Sequence, residues 1–184
     1  MSEYQYYEFC RIGSPLSAEA RKTMQSLSSR AKVSTHGASY TYNYGDFRGK
    51  PAELVLNYFD VFFYISNFGT LRLIFKYPEN QITEEEIEKY RIKHVIHYQK
   101  HEQYGLLTID INNEEGFGWT EGEGLLADLL PLYDEIKDNH YHFLQVVSAV
   151  HDHFMGENSN TLSNLLTKNT LSSAEKTFVA CVGL

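Results

Sequence analysis

Residues 61–78 read VFFYIS-NFGT-LRLIFKYP, and this stretch decides the fold. Two apolar runs flank a short turn that contains Gly69, which is the pattern of a β-hairpin. Both runs are almost continuously hydrophobic, which is typical of strands at the centre of a sheet that is covered on at least one face. The stretch therefore predicts a sheet with this hairpin near its middle.

Other segments predict the elements around the hairpin. Residues 4–12 and 38–44 alternate aromatic and polar side chains, which predicts two strands, the first at or near an edge of the sheet. The second strand places Tyr40, Tyr42 and Tyr44 on one face. Helices are predicted at three places: residues 18–30, residues 51–59 with Pro51 in the first turn, and at least two turns after the capping box of Thr83 and Glu86.

The fold class follows from the order of these elements. From Gly124 onward the patterns are helical, and before it strands dominate. We predict an α+β protein with a mostly antiparallel or mixed sheet of five to six strands and packed helices over residues 1–122, followed by a helical region over residues 123–184. The last helical pattern stops at Leu184 without a cap, so we expect this region to continue in a longer native chain.

The composition is that of a globular domain with an excess of aromatic residues and of acidic charge. The chain has 14 Tyr, 11 Phe and one Trp, and its formal net charge is −8. Tyrosine suits both mixed cores and protein-binding surfaces. Nucleic-acid binding needs a basic face, and no run of Lys and Arg supplies one. We therefore expect a protein partner, with a basic protein as one option, and no nucleic acid.

The sequence predicts a cytoplasmic protein that has no membrane association. The N-terminus lacks the basic flank and apolar core of a signal peptide. The longest strictly apolar stretch, residues 61–65, is far shorter than the roughly 18–20 residues that span a bilayer. Cys10 and Cys181 lie far apart without CxxC spacing, which is typical of reduced thiols in a cytosolic protein.

Three histidines in the stretch HVIHYQKH, which are His94, His97 and His101, are the candidate metal ligands. On one helix they would fall within an arc of about 60° and could hold zinc. The β-branched neighbours instead favour a strand over residues 92–98, a turn, and a return strand over residues 104–111. In that hairpin His94 and His97 lie on opposite faces. We therefore expect no cofactor, and a metal-dependent enzyme that uses the three histidines stays the alternative.

No other motif indicates catalysis, so no catalytic residue is predicted. The glycine-rich stretch 118–124 (GWTEGEG) lacks the Lys and Ser/Thr of a phosphate-binding loop, and two acids stand where an anion would bind. The chain contains no GxSxG motif. The two HxH pairs of residues 140–142 and 151–153 point nearly apart on a helix, which favours surface or helix-end histidines.

Several motifs together resemble a family of bacterial proteins whose function is unassigned. They are EYQYYEF (3–9), PLS (15–17), LSSRA (27–31), GDFRG (45–49) with Pro51, YFDVFFYISNFGT (58–70) followed by LRL, and W-EGEGLL with LLPL (119–132). Members often carry Trp where this chain has Tyr44 and Phe68, and their chains continue past the equivalent of Leu184. The resemblance implies a link to bacterial antiviral systems, including companion proteins of CRISPR-associated proteases. It implies no catalytic residues.

These observations together predict a non-catalytic protein-interaction or regulatory module that forms the N-terminal region of a larger cytosolic protein. The aromatic excess, the acidic balance and the absence of a catalytic motif support this interpretation. The residues expected to bind the partner are aromatic side chains near predicted turns and strands: Tyr40, Tyr42, Tyr44, Phe68 and Trp119.

Overall fold

A computed structural model describes residues 3–168 and 170–184. Within them one antiparallel sheet of seven strands has the order β2-β3-β1-β4-β5-β7-β6. The strands are β1 (Gln5–Cys10), β2 (Lys32–Val33), β3 (Gly37–Tyr42), β4 (Val61–Ser66), β5 (Thr70–Pro78), β6 (Ile96–His101) and β7 (Tyr104–Asn112). The helices are α1 (Ala18–Ser26), α2 (Pro51–Tyr58), α3 (Glu84–Glu88), α4 (Leu125–Leu129), α5 (Pro131–Lys137), α6 (His142–Phe154), α7 (Ser159–Thr167) and α8 (Ser173–Cys181). The predicted α+β class is confirmed.

The predicted central hairpin is confirmed as β4 and β5, which occupy the fourth and fifth positions of the sheet. Alternate residues of these strands enter two separate hydrophobic cores. Phe63 and Leu73 face one core, which we call the core of the first face, and Phe62 and Ile74 face the other, on the second face. The near-continuous hydrophobicity of the hairpin therefore reflects burial on both sides.

The helices cover the two faces of the sheet unequally. Helices α3 to α8 supply apolar side chains to the core of the first face, against β4, β5, β7 and β6. Helices α1 and α2 pack on the second face, mainly against β3, β1 and β4, through Met24, Val55 and neighbouring residues. On the second face, β7 contributes only Leu106 to the core and β6 contributes none of its described residues. The second face of β7 and β6 therefore stays open.

The regions predicted at residues 1–122 and 123–184 differ in their secondary structure but share a core. Strands end at Asn112 and helices occupy the later part of the chain. Ile109 of β7 and Leu73 of β5 lie in the same hydrophobic core as Val147 of α6 and Phe178 of α8. The helical region therefore packs as a layer on the sheet.

Two details of the sheet differ from the expectation. The sheet has seven strands rather than five to six because the two-residue β2, which was not predicted, adds to β3. Strand β1 is not at an edge, since it pairs with β3 on one side and β4 on the other. Its polar Gln5 is tolerated there because the side-chain oxygen accepts hydrogen bonds from the Tyr7 and Tyr64 hydroxyls.

Two helices are shorter than predicted. Helix α1 ends at Ser26 rather than residue 30. The capping box of Thr83 and Glu86 is present, but α3 ends after five residues. Four of those residues are glutamates, and like charges three and four positions apart destabilise a helix.

The β4–β5 turn depends on glycine at position 69. Gly69 has a φ of +90°, and a Cβ atom there would lie 1.9 Å from the backbone oxygen of Asn113. The turn is tied to that loop by the hydrogen bond from the Asn113 amide to the Gly69 carbonyl, at 2.8 Å.

We predict that Gly69→Ala destabilises the protein more than Gly13→Ala does. Gly13 has a similar φ of +86° but has nothing within 4 Å of its added Cβ, so it reports the backbone strain alone. That strain is about 1–2 kcal/mol, and the clash with Asn113 adds about 1–3 kcal/mol. Urea unfolding of both variants measures the difference, and equal midpoints would contradict the steric role of Gly69.

Candidate functional site

The five aromatic residues expected to bind a partner fall into two groups. Tyr40 and Tyr42 are buried in the core of the second face, and the Tyr40 hydroxyl donates a 2.9 Å hydrogen bond to the Met24 carbonyl. The expectation that these two rings contact a partner is therefore corrected. Their alternation with polar residues marks the inner face of β3, packed against α1, rather than an exposed stripe.

Tyr44, Phe68 and Trp119 are exposed, with 73%, 46% and 72% of their surfaces accessible. All three lie in loops that connect to strand ends, and these strand ends lie at the same end of the sheet. Gln5 of β1 pairs with Tyr42 at the end of β3 and with Ser66 at the end of β4. Thr70 at the start of β5 pairs with Asn112 at the end of β7.

Tyr4 connects the exposed Trp119 ring to the β4–β5 turn that contains Phe68. Its ring centroid lies 6.1 Å from that of Trp119, and its hydroxyl accepts a 2.9 Å hydrogen bond from the Gly122 amide. Its backbone amide donates to the side-chain oxygen of Asn67, the residue before Phe68, at 2.9 Å. We call the surface formed by Tyr4, Tyr44, Phe68 and Trp119 the aromatic end of the sheet.

The aromatic end lies beside a run of negative charge. The segment 112–124 contains no Lys or Arg, and four of its residues are exposed glutamates: Glu114, Glu115, Glu121 and Glu123. Glu123 forms a 2.9 Å ion pair with Lys32, but both side chains are well exposed. Surface pairs of this kind contribute little, so the segment keeps a negative potential.

The histidines occupy a different place from the one expected. The predicted hairpin exists, but β6 begins only at Ile96, and the turn is the two-residue Glu102–Gln103. His94 lies before the strand, in a turn with a φ of +65°. His94 lies outside the strand, so the expected opposite faces of one strand do not apply to it, and it lines the same cleft as His97. The turn redirects His94, which strand parity alone does not capture.

The three candidate metal ligands do not form one site. His101 lies at the far end of β6, about 13 Å along the strand from His97, since a strand rises about 3.3 Å per residue. Within residues 3–168 and 170–184, no group of three or more His, Cys, Asp or Glu side chains is arranged to hold a metal ion.

The cleft that contains His94 and His97 is the main polar concavity on the open part of the second face. Its volume is about 750 Å³. Strands β5, β7 and β6 form its floor, and the α3–β6 loop forms its rim. Its lining residues are mostly polar or charged: Arg72, Arg91, Lys93, His94, His97, Tyr98, Gln99, Asp110 and Asn112.

An ion pair between Arg72 and Asp110 forms the centre of this floor. Arg72 donates from both Nε and Nη2 to the Oδ2 atom of Asp110, the Nε bond at 2.8 Å. Among the described residues, the buried Oδ1 atom of Asp110 has no hydrogen-bond donor. Sequence reasoning missed both residues because they are 38 positions apart. The sequence signal that could have identified them is a charged residue within an otherwise apolar strand, which is Arg72 in β5 and Asp110 in β7.

Burial lowers the pKa of His97, and the Asp110 carboxylate partly opposes this shift. Arg72, Arg91 and His94 lower the pKa further by repelling a second positive charge. His97 is therefore held towards its neutral form in the folded protein.

The other histidine pairs lie at helix ends or on the helix surface. His142 in the first turn of α6 forms a 2.8 Å contact from Nδ1 to the buried Glu175 carboxylate of α8. His151 and His153 lie in the last turn of α6. A positive charge there would interact favourably with the helix dipole.

We predict that Arg72→Ala destabilises the protein much more than Arg91→Ala. Asp110 is 11% exposed, so losing Arg72 leaves a buried carboxylate without its donors, at a cost of about 2–3 kcal/mol after allowance for the exposed side of Arg72. The Arg91–Glu88 pair is more than half exposed on both sides and contributes about 0.5 kcal/mol. Chemical denaturation compares the two variants, and similar losses would contradict the central role of the Arg72–Asp110 pair.

The lowered pKa of His97 predicts a loss of stability in acid. The folded state takes up this proton less readily than the unfolded chain, whose histidine pKa is about 6.5, so stability falls as the pH drops below that value. We expect His97→Gln to lose less stability than the wild type between about pH 7 and about pH 5. Equal slopes for the wild type and His97→Gln would contradict the assignment.

None of the helices in the described part of the chain combines the length and the apolar character needed to cross a bilayer. No protein-family model matches this chain, and no curated protein or solved structure is significantly similar to it.

Proposed function

We propose that this chain is a non-catalytic protein-interaction or regulatory module of a cytoplasmic bacterial protein, and that the aromatic end of the sheet is its binding surface. The observation that carries the proposal is the exposure of Tyr44, Phe68 and Trp119 at one end of the sheet. Large aromatic side chains dominate the energetics of protein interfaces and are enriched at their centres.

The way these rings are held supports a binding role. The backbone at this end is anchored by the hydrogen bonds of Tyr4 to Asn67 and Gly122. Trp119 lies against the Tyr4 ring but stays 72% exposed. Aromatic side chains have few rotatable bonds, so ordering them on binding costs little conformational entropy.

The charge around the aromatic end favours a basic partner. Four exposed glutamates flank Trp119 within residues 112–124, on a chain with a net charge of −8. Arg and Lys side chains can form ion pairs with these carboxylates and can stack on Trp and Tyr rings. The partner that fits this surface is a protein segment with Arg or Lys next to apolar residues.

The alternative function, a metal-dependent enzyme that uses the three histidines, has less support. Such a site needs His94, His97 and His101 to converge, but His101 lies outside the cleft that the other two line. The link to antiviral systems rests on the sequence motifs alone and stays a prediction.

The proposal is tested by capturing partners from the native host and measuring the affinity of the purified partner. We expect the partner to contain a basic segment, and we expect Trp119→Ser to weaken its binding by about 30-fold or more, the effect of an interface hot spot. We also expect the affinity to fall as NaCl is raised, because opposite charges are screened.

The matched control is Ile12→Ser. Ile12 is also an exposed apolar residue, but it follows β1 at the opposite end of the sheet. This variant should bind as the wild type does. Unchanged affinity for Trp119→Ser, or an equal loss for Ile12→Ser, would contradict the assignment of the aromatic end.

A further inference from the structure

The open part of the second face is polar where a covered sheet would be apolar. The side chains that β5, β7 and β6 direct to this face include Arg72, Thr108, Asp110, Asn112 and His97, in register across the three strands. On the first face, the residues of these strands that enter the hydrophobic core are all apolar. This polar face lies under a cleft of about 750 Å³, a volume within the range of small-molecule sites.

The cleft is locally basic on an acidic protein. Its lining has three permanent cations, Arg72, Arg91 and Lys93, against the single carboxylate of Asp110. Glu88 pairs with Arg91 from outside the lining. Arg72 is paired with Asp110 and Arg91 with Glu88, so within the described residues Lys93 is the lining cation that has no ion-pair partner, and the cleft has a small local excess of positive charge on a chain whose net charge is −8.

Arg72 is oriented in a way that suits anion binding. Asp110 holds the guanidinium through Nε and Nη2, and no hydrogen bond from Nη1 is formed within the described residues. The side chain is 44% exposed. A guanidinium fixed by a carboxylate behind it and exposed in front presents the planar donor geometry that phosphate oxygens accept.

The rim of the cleft is held by a strained turn. Ile92 forms a bridge with Ile96, and the intervening His94 adopts a φ of +65°. A non-glycine residue rarely adopts this conformation and keeps it only where the surroundings impose it. The turn places Lys93 and His94 over the same cleft as His97.

An aromatic pocket adjoins the cleft at Arg72. The pocket has a volume of about 290 Å³ and is lined by Tyr7, Phe47, Phe62, Tyr64 and Arg72, with Gly49, Pro51 and Thr70 at its edges. The Tyr7 ring centroid lies 4.6 Å from that of Tyr64 and 5.1 Å from that of Phe47. The buried Gln5 amide oxygen accepts both tyrosine hydroxyls, at 2.7 and 3.0 Å, which fixes the rings.

We propose that the cleft and the aromatic pocket together bind a nucleotide. The phosphate group lies among Arg72, Lys93, His94 and His97, and the planar base lies against the Tyr7 and Tyr64 rings. Arg72 lines both the cleft and the pocket, so it joins the two parts of one ligand. Stacking on aromatic rings accepts any base, and phosphate contacts supply the charge-dependent part of the affinity.

Isothermal titration calorimetry at low salt tests this proposal with adenosine 5′-monophosphate, uridine 5′-monophosphate, ribose 5-phosphate and inorganic phosphate. We expect both nucleotides to bind at least about tenfold more tightly than ribose 5-phosphate, because only they carry a ring for the pocket. Inorganic phosphate should be the weakest ligand. In NMR titrations, the side-chain signals of His94 and His97 should shift on addition of either nucleotide.

The variants separate the cleft from the general charge of the protein. Lys93→Glu reverses an exposed charge at the rim and should weaken nucleotide binding about tenfold or more. Lys22→Glu makes the same change on the exposed side of α1 and should leave the affinity unchanged. Three results would each overturn the proposal: no nucleotide binding at millimolar concentration, equal affinities for nucleotide and ribose 5-phosphate, or wild-type binding by Lys93→Glu.

Discussion

Burial of the β4–β5 hairpin on both faces is the constraint on which the rest of the structure depends. The helix layers on the two faces are offset, so this hairpin is the part of the sheet that both layers cover. Burial on both faces also encloses one charged residue of the hairpin, Lys76 of β5. This burial lowers the pKa of Lys76 because it disfavours the charged form. Its ammonium group is stabilised by the Val55 carbonyl of α2 at 3.0 Å and by Asp60 at 3.4 Å. The charge thereby ties α2 to the hairpin, as expected for a buried amine that must be paired.

The same offset leaves part of the sheet open, and the open part differs in chemistry from the covered part. Helices α1 and α2 do not reach β7 and β6, so polar side chains there meet water. Arg72 and Asp110 form an ion pair on that surface without the full desolvation cost of a core pair, because Arg72 stays partly exposed. The cleft is therefore a consequence of how far the helices extend over the sheet.

The sequence predicts the local features of this fold better than its contacts between distant segments. The hairpin, the proline-led helix α2 and the Thr83 capping box all depend on neighbouring residues, and all are confirmed. The interior position of β1 and the pairing of Arg72 with Asp110 depend on strand order and register, which no local pattern determines. Tyr40 and Tyr44 illustrate the limit: the same alternating stretch supplies one buried ring and one exposed ring, because β3 ends at Tyr42.

Net charge has a similar limit as a guide to ligands. The net charge of −8 argues against an extended basic face. It is a sum over the whole chain, however, whereas a single charge acts mainly on its near surroundings. At physiological salt, exposed charges are largely screened beyond about 8 Å. A ligand in the cleft therefore responds mainly to Arg72, Lys93 and their neighbours, while a partner at the aromatic end responds to the glutamates beside Trp119. The cleft and the aromatic end can thus differ in local charge without either cancelling the other.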